Sequence, residues 1–120
     1  MLLVDDDAGV LQVAARQLRE LGYAVVTAES GAEALAKLRR LPDVGLLLTD
    51  IVMPGGMNGF ELTERARALK PGLKVLHASG FTLNATEDGA VDAEVPMLTK
   101  PYRKADLASK VREVLEEANP

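Results

Sequence analysis

The chain has 120 residues, a length that predicts one domain, and it contains no cysteine, which excludes disulfides, cysteine-based zinc sites and thiol chemistry. Its 14 basic and 18 acidic residues give a net charge of −4, so direct contact with nucleic acid or with an anionic membrane surface is not expected. No apolar run is long enough to cross a bilayer, and the acidic triplet after Val4 is unlike a signal peptide. We therefore expect a cytoplasmic domain.

The first half of the chain predicts two strand–helix pairs. Residues 1–4 form an apolar run typical of a buried strand, and apolar residues then recur at helical spacing from about residue 8 to residue 21. Residues 23–28 are rich in strand formers. Ser30 with Glu33 three residues later is a capping-box pattern, which predicts the start of a second helix. The apolar face of the first helix is predicted to contain Val10, Leu11, Ala14, Leu18 and Leu21.

The second half of the chain continues this alternation. Residues 44–49 are apolar on both parities, as expected for a central strand that is covered on both faces. Asn58 with Glu61 predicts the cap of a third helix. Residues 73–78 predict a fourth strand, and residues 95–99 predict a fifth.

The helices of this half differ in the strength of their patterns. The segment 82–94 is polar and has a thin apolar stripe, which predicts a short or irregular fourth helix. The third helix is predicted to bury Phe60, Leu62, Ala66 and Leu69, and the last helix Leu107, Val111, Val114 and Leu115. Five strands that alternate with helices predict an α/β fold: a doubly wound, five-stranded parallel sheet with helices on both faces.

Polar residues follow four of the predicted strands. In a doubly wound sheet, ligands bind beyond the carboxyl ends of the strands, where Asp5, Asp6, Asp50, Ser79 and Lys100 are expected. If the first and third strands are neighbours, their ends lie about 4.8 Å apart, and the three carboxylates repel one another. A hard divalent cation, Mg²⁺ or Mn²⁺, removes that repulsion. With an added ammonium and hydroxyl, such a pocket suits phosphoryl transfer to a carboxylate.

Taken singly, these residues also have structural explanations. An aspartate after a strand is often a helix cap, and Asp7 is predicted to be one. Lys100 followed by Pro101 would by itself indicate a loop, and His77, inside a strand, is predicted to be a packed or edge histidine rather than a phosphoryl donor. A functional site is favoured because four strand ends each supply a compatible group at one edge of the sheet.

Five short segments, in this order and at these spacings, resemble the receiver domain of two-component response regulators, and the resemblance covers essentially all 120 residues. The segments are Leu3-Val4-Asp5-Asp6-Asp7, Leu48-Thr49-Asp50-Ile51-Val52-Met53-Pro54, Asn58-Gly59, Ala78-Ser79-Gly80 and Lys100-Pro101-Tyr102. The resemblance implies a flavodoxin-like sheet with strand order 2-1-3-4-5 and a single receiver domain over residues 1–120.

The resemblance also implies a set of metal ligands. Asp6 and Asp50 would bind Mg²⁺ directly, with the backbone carbonyl of Val52 as the third protein ligand. Asp5 would act through a metal-bound water. Mn²⁺ would be an alternative ion, since it also accepts hard oxygen ligands.

The reaction implied by the resemblance is phosphorylation of the domain itself. Asp50 would be the phosphoacceptor and would form an aspartyl phosphate by attack on a phosphohistidine. Ser79 would hydrogen-bond the phosphoryl group, and Lys100 would pair with it. The implied partner is a histidine kinase or a histidine phosphotransfer protein, and the domain would not be a turnover enzyme in its own right.

Some positions depart from the pattern of the family. The aromatic switch residue that often stands three positions before the lysine is replaced by Met97, and Tyr102 and Phe81 are the aromatic residues that would substitute for it. The peptide bond between Lys100 and Pro101 is expected to be cis, as is usual in the family. The Gly-Gly insertion, the Ser-Gly-Phe-Thr segment and the weak fourth helix resemble receivers that are attached to hybrid sensor histidine kinases.

Three other classes of protein share parts of this pattern. A small phosphatase of the haloacid-dehalogenase type also uses aspartate, serine, lysine and Mg²⁺, but its nucleophile is expected after the first strand. A flavin or nucleotide binder needs a phosphate-binding loop there, which Asp5 and its acidic neighbours would disfavour. A degenerate receiver that serves only as an interaction module is disfavoured because all the acidic positions and the lysine are present.

Overall fold

The computed structural model describes residues 1–53, 56–79, 95–100 and 102–116. The strands are β1 (Leu2–Val4), β2 (Val26–Ala28), β3 (Leu46–Asp50), β4 (Lys74–Ser79) and β5 (Met97–Thr99). The helices in these ranges are α1 (Ala8–Glu20), α2 (Gly31–Arg40), α3 (Gly59–Leu69) and α4 (Lys104–Glu116). All the strands pair in parallel, in the order β2-β1-β3-β4-β5, which confirms the predicted fold class and strand order.

Helices cover the sheet on both faces, as predicted. Because successive side chains of a strand point to opposite faces, Leu47 and Leu48 of β3 belong to different core clusters. Leu47 packs with residues of α2 and α3, and Leu48 packs with residues of α1 and α4. The short or irregular helix expected in segment 82–94 lies outside the described residues. Within the part of the chain that is described, no helix combines the length and the hydropathy needed to cross a membrane.

The predicted caps set the starts of three helices. The Asp7 carboxylate accepts hydrogen bonds from the backbone N–H groups that follow it at the start of α1. The Ser30 hydroxyl accepts the N–H of Glu33 at the start of α2, although the Glu33 carboxylate bonds the N–H of Glu29 instead of Ser30. Asn58 and Glu61 form the complete reciprocal capping box of α3. Local sequence therefore fixes where these helices begin.

Three leucine and valine positions that were predicted to be buried are exposed. Val10 is 37% exposed, Leu21 37% and Leu69 42%. For Val10 and Leu21 the reason is a difference in length: the 13 residues of α1 extend about 20 Å, whereas the three residues of β1 extend about 10 Å. Leu69 is the last residue of α3. Side chains near the helix ends therefore lie beyond the strands that would cover them.

The strand bounds differ from the predicted ones by one to three residues. The second strand begins at Val26 instead of residue 23, because β1 begins opposite it, at Leu2. The third strand includes Asp50, which pairs with Ala78 of β4 and was expected just beyond the strand. The acidic side chain is therefore held by the sheet itself rather than by a loop.

Gly59 is required where α3 begins, because the helix starts against the backbone that follows β3. Its N–H donates to the carbonyl of Ile51 at 2.8 Å, and a Cβ at Gly59 would overlap the carbonyl oxygen of Asp50 and lie 2.8 Å from the Cα of Ile51. We expect Gly59→Ala to lower the free energy of unfolding by about 1–3 kcal/mol through overpacking. Urea denaturation measures this. In the control Gly45→Ala the added Cβ meets nothing within 4 Å, and equal stability of the two variants would contradict the prediction.

Candidate functional site

The carboxyl ends of β1 and β3 bring three aspartates together. Val4 is in register with Thr49, so that the residues which follow them, Asp5 and Asp50, are neighbours across the two strands. One carboxylate oxygen each from Asp5, Asp6 and Asp50 lie within 4.8 Å of one another. Asp5 and Asp50 are 5% and 9% exposed, whereas Asp6 is open to solvent. The result is an acidic pocket with one open side.

Two fixed donors hold the buried Asp5 in this pocket. The backbone N–H of Asp7 donates to its Oδ1 at 2.9 Å, and the Lys100 ammonium donates to its Oδ2 at 2.8 Å. The same ammonium lies 3.4 Å from Oδ1 of Asp50. Lys100 therefore bridges two carboxylates that come from different strands.

Lys100 is positioned by the end of the sheet. Its backbone N–H donates to the carbonyl of Ser79 at 2.7 Å, which continues the pairing of β4 with β5 by one residue. Burial by itself would lower the pKa of the Lys100 ammonium. The hydrogen bond to Asp5 and the negative charge of Asp50 outweigh burial, and the pKa is raised above its usual value. The pocket thus keeps a permanent positive charge.

The surroundings of Asp50 disfavour the charged form of its side chain. Burial raises the pKa of its carboxyl, and the negative charges of Asp5 and Asp6 raise it further, although Lys100 opposes them. Three carboxylates against one ammonium leave an excess of negative charge. Carboxylate oxygens are the ligands that Mg²⁺ and Mn²⁺ prefer, and such an ion would offset this charge. The donor set therefore fits a hard divalent cation.

The other predicted site residues are placed around this pocket. Ser79 is fully buried at the end of β4, one residue beyond the partner of Asp50. Val52, two residues past Asp50, is 44% exposed. Met97 begins β5 opposite His77, and the histidine is buried inside the sheet, which confirms that it is a packed residue.

Tyr102 is the aromatic residue that the structure places beside the pocket. It packs against the core cluster of α1 and α4, and burial raises the pKa of its hydroxyl. It also lines a groove with Lys100 and residues of α1. Phe81 and Pro101 lie outside the described residues, so that the role of Phe81 and the cis bond before Pro101 stay predictions.

Two threonines to which the sequence assigned no role also contribute to this end of the sheet. Thr49 is fully buried in β3, and its hydroxyl donates to the carbonyl of Asp50 at 2.9 Å. Thr63 is buried in α3 and bonds both Gly59 and His77. Thr49 was marked in the sequence as a polar residue inside an apolar run and as part of the second segment that resembles the family. Nothing comparable singles out Thr63 in its helix.

The comparisons with known proteins agree with this geometry. Residues 1–112 match the family model of the response regulator receiver domain. The response regulator receiver protein CpdR of Brucella abortus is 38% identical over 118 residues, which cover 96% of this chain and 95% of CpdR. The chain belongs to the response regulator receiver family. This receiver domain therefore belongs to two-component signalling, and the phosphatase and flavin-binding alternatives are no longer needed.

Receiver domains of larger proteins are also similar to this one. The sensor kinase CckA of Brucella abortus is 35% identical over 119 residues, which cover 98% of this receiver domain but 12% of CckA. A crystal structure of the receiver domain from the hybrid histidine kinase CckA has a TM-score of 0.80 and 34% identity, with 96% of this chain and 97% of that chain covered. Similar receivers thus occur both alone and within longer chains.

Proposed function

We propose that Asp50 of this receiver domain accepts a phosphoryl group from a phosphohistidine of a donor protein, in a reaction that depends on Mg²⁺. The observation that carries the proposal is the Lys100 ammonium, 2.8 Å from Asp5 and 3.4 Å from Asp50, at the edge of a three-carboxylate pocket. A pocket that only bound a cation would not need a lysine inside it. An ammonium beside carboxylates suits a phosphoryl group, whose oxygens need positive charge.

The transfer itself needs one nucleophile and few other groups. A carboxylate oxygen of Asp50 forms a bond to phosphorus while the phosphorus–nitrogen bond of the donor breaks, and the electron pair stays on the imidazole of the donor. The Lys100 ammonium is placed to pair with a phosphoryl oxygen, and the Ser79 hydroxyl is proposed to hydrogen-bond another. The product is an acyl phosphate on Asp50.

Three residues are proposed to hold the metal ion directly. Asp6 and Asp50 supply carboxylate oxygens and Val52 its backbone carbonyl, while Asp5, already bonded to Lys100, acts through a water. When bound, Mg²⁺ supplies positive charge that offsets the charge of the phosphoryl oxygens. The exposure of Asp6 gives the ion access from solvent. Mn²⁺ is proposed as an alternative ion at the same site, because it accepts the same oxygen ligands as Mg²⁺.

A groove beside the pocket supports a protein as the phosphoryl donor. It has a volume of about 490 Å³ and is formed mainly by α1, with Lys100 and Tyr102 at one side. Val10 and Val13 in its wall are 37% and 53% exposed. An apolar helix face of a histidine kinase or a histidine phosphotransfer protein would cover these side chains.

The second part of the proposal concerns the protein that contains this domain. We propose that residues 1–120 form a single receiver domain of a cytoplasmic signalling protein, and that its parent is a hybrid sensor histidine kinase. The similarity to the receiver part of CckA supports this context. The 38% identity to CpdR along 95% of that protein makes a receiver without a kinase the alternative. The sequence that flanks this segment in its gene distinguishes the two.

Acetyl phosphate tests the phosphoryl transfer without a protein donor. We expect the domain to gain one phosphoryl group in the presence of Mg²⁺ and none when the metal is chelated. Borohydride trapping followed by peptide mass mapping should place the group on Asp50. Modification at another residue, or no modification under conditions that phosphorylate a control receiver, would mean that the domain is a degenerate receiver or uses a different site.

A further inference from the structure

A buried polar chain connects β4 to the segment that follows the phosphoacceptor. The Nε2 atom of His77, in β4, lies 2.7 Å from the Thr63 hydroxyl in α3. That hydroxyl donates to the carbonyl of Gly59 at 2.8 Å, in the first turn of α3. The N–H of Gly59 in turn donates to the carbonyl of Ile51 at 2.8 Å. Four residues thus link the middle of β4 to the residue after Asp50.

The hydrogen bonds determine which nitrogen of His77 carries a proton. A threonine hydroxyl has a single hydrogen, and the hydroxyl of Thr63 donates it to Gly59. Its oxygen therefore accepts at His77, and Nε2 is the donor. The ring is fixed in this orientation by Phe60, whose centroid lies 5.3 Å away at an interplanar angle of 87°.

The hydrogen-bonded link from His77 to Ile51 lies next to two parts of the site, the segment after Asp50 and Ser79. Gly59 has no room for a side chain because the backbone of Asp50 and Ile51 lies directly against it. This hydrogen-bonded link therefore holds α3 against the segment that leads to Val52, the proposed carbonyl ligand. Ser79 is two residues past His77 on β4 and so belongs to the same face of that strand.

We infer that His77 and Thr63 are positioning residues, which hold the segment after Asp50 in the geometry that binds the metal ion. This inference rests on the proposed function. Both side chains are buried, His77 to 2% and Thr63 to 5% exposure, and they bond each other at 2.7 Å between β4 and α3. A hydrogen-bonded link between two elements fixes their relative position more narrowly than apolar packing of the same volume does.

Three variants separate positioning from stability. Thr63→Val removes the acceptor of the Nε2–H and keeps the shape of the side chain, and His77→Phe keeps a ring against Phe60. Each single variant is expected to be less stable than the wild type. The double variant replaces both polar partners with apolar groups, and its urea midpoint is expected to return toward that of the wild type.

Magnesium binding and amide exchange are the readouts. In isothermal titration calorimetry, the double variant should bind Mg²⁺ about fivefold more weakly than the wild type despite its recovered stability. In the metal-free protein, the Gly59 amide should exchange about tenfold faster, because its acceptor segment is held less firmly. Thr27→Val, which removes a hydroxyl from β2, is the control and should change neither value.

The single histidine of the chain allows a spectroscopic check of the link. Nitrogen-15 spectra at pH 8 should show the proton on Nε2, with a signal that moves in Thr63→Val. Wild-type magnesium affinity and Gly59 exchange in the double variant would show that the pair only fills space, and would overturn the inference. If the wild-type domain binds no Mg²⁺, the proposed function itself is wrong, and the link between His77 and Thr63 then has no metal site to position.

Discussion

Replacing Asp50 by asparagine should abolish phosphorylation and at the same time stabilise the metal-free domain. The amide has no carboxylate oxygen to attack phosphorus, so acetyl phosphate should leave Asp50→Asn unmodified. Without Mg²⁺ at pH 7, the variant should unfold a few degrees above the wild type, a difference of about 1 kcal/mol. The physical cause is that burial and the negative charges of Asp5 and Asp6 raise the pKa of Asp50.

The size of this stability effect depends on pH, and its sign depends on the metal. A carboxyl whose pKa is higher in the folded state binds more protons there than in the unfolded chain, so its ionisation lowers stability as the pH rises. The advantage of Asp50→Asn should therefore be present at pH 7 and should disappear as the pH falls through the raised pKa and then the ordinary pKa of Asp50.

Saturating Mg²⁺ should reverse the order, because a ligand at 100 times its dissociation constant stabilises its protein by about 2.7 kcal/mol and the variant lacks a ligand. Thermal unfolding at pH 7 and pH 4, with and without Mg²⁺, measures all of these differences. Asp43→Asn replaces an exposed aspartate outside the pocket and is the control. A metal-free Asp50→Asn that melts below the wild type at pH 7 would contradict the electrostatic argument.

Replacing Lys100 by methionine should slow phosphorylation and strengthen metal binding. Loss of one charged donor to a developing anion costs about 10²-fold in rate, and we expect a decrease of that size with acetyl phosphate at saturating Mg²⁺. Magnesium should bind more tightly, because the ammonium 2.8 Å from Asp5 and 3.4 Å from Asp50 no longer competes for the carboxylates. The two effects have opposite signs, so simple unfolding cannot produce both.

The control for this variant is another lysine. Lys104→Met removes an exposed ammonium that pairs with Glu20 at 3.0 Å on the surface, where such a pair contributes at most about 1 kcal/mol. Its phosphorylation rate and magnesium affinity should be those of the wild type. If Lys100→Met is phosphorylated at the normal rate, or if it binds Mg²⁺ more weakly than the wild type, Lys100 does not have the proposed role.

Much of the candidate site was accessible from sequence because its geometry follows from topology. Parallel strands place their carboxyl ends at one edge of a sheet, so Asp5, Asp50 and Lys100 are brought together once the strand order is known. The caps at Asp7 and Asn58 were also predictable, since each depends on residues no more than three positions away.

Other features could be seen only in the tertiary structure, because they depend on how the helices and strands pack. The exposure of Val10 and Leu21 is decided by how far α1 extends past β1, and helical periodicity does not contain that length. The bond between His77 and Thr63 joins residues 14 positions apart on a strand and a helix. In the sequence, His77 and Thr63 are two isolated polar residues. Their contact follows only from the packing of α3 on one face of β4.

The alternation of apolar runs and amphipathic helices determined by itself the parallel α/β fold and the position of the acidic and basic groups at strand ends, because both follow from local hydrophobic spacing. Only the tertiary structure decided that one ammonium contacts two carboxylates and that Thr63 serves both His77 and Gly59. The contacts of Lys100 and of His77 depend on distances between side chains far apart in sequence. Such distances are set by the packing of whole helices on the sheet.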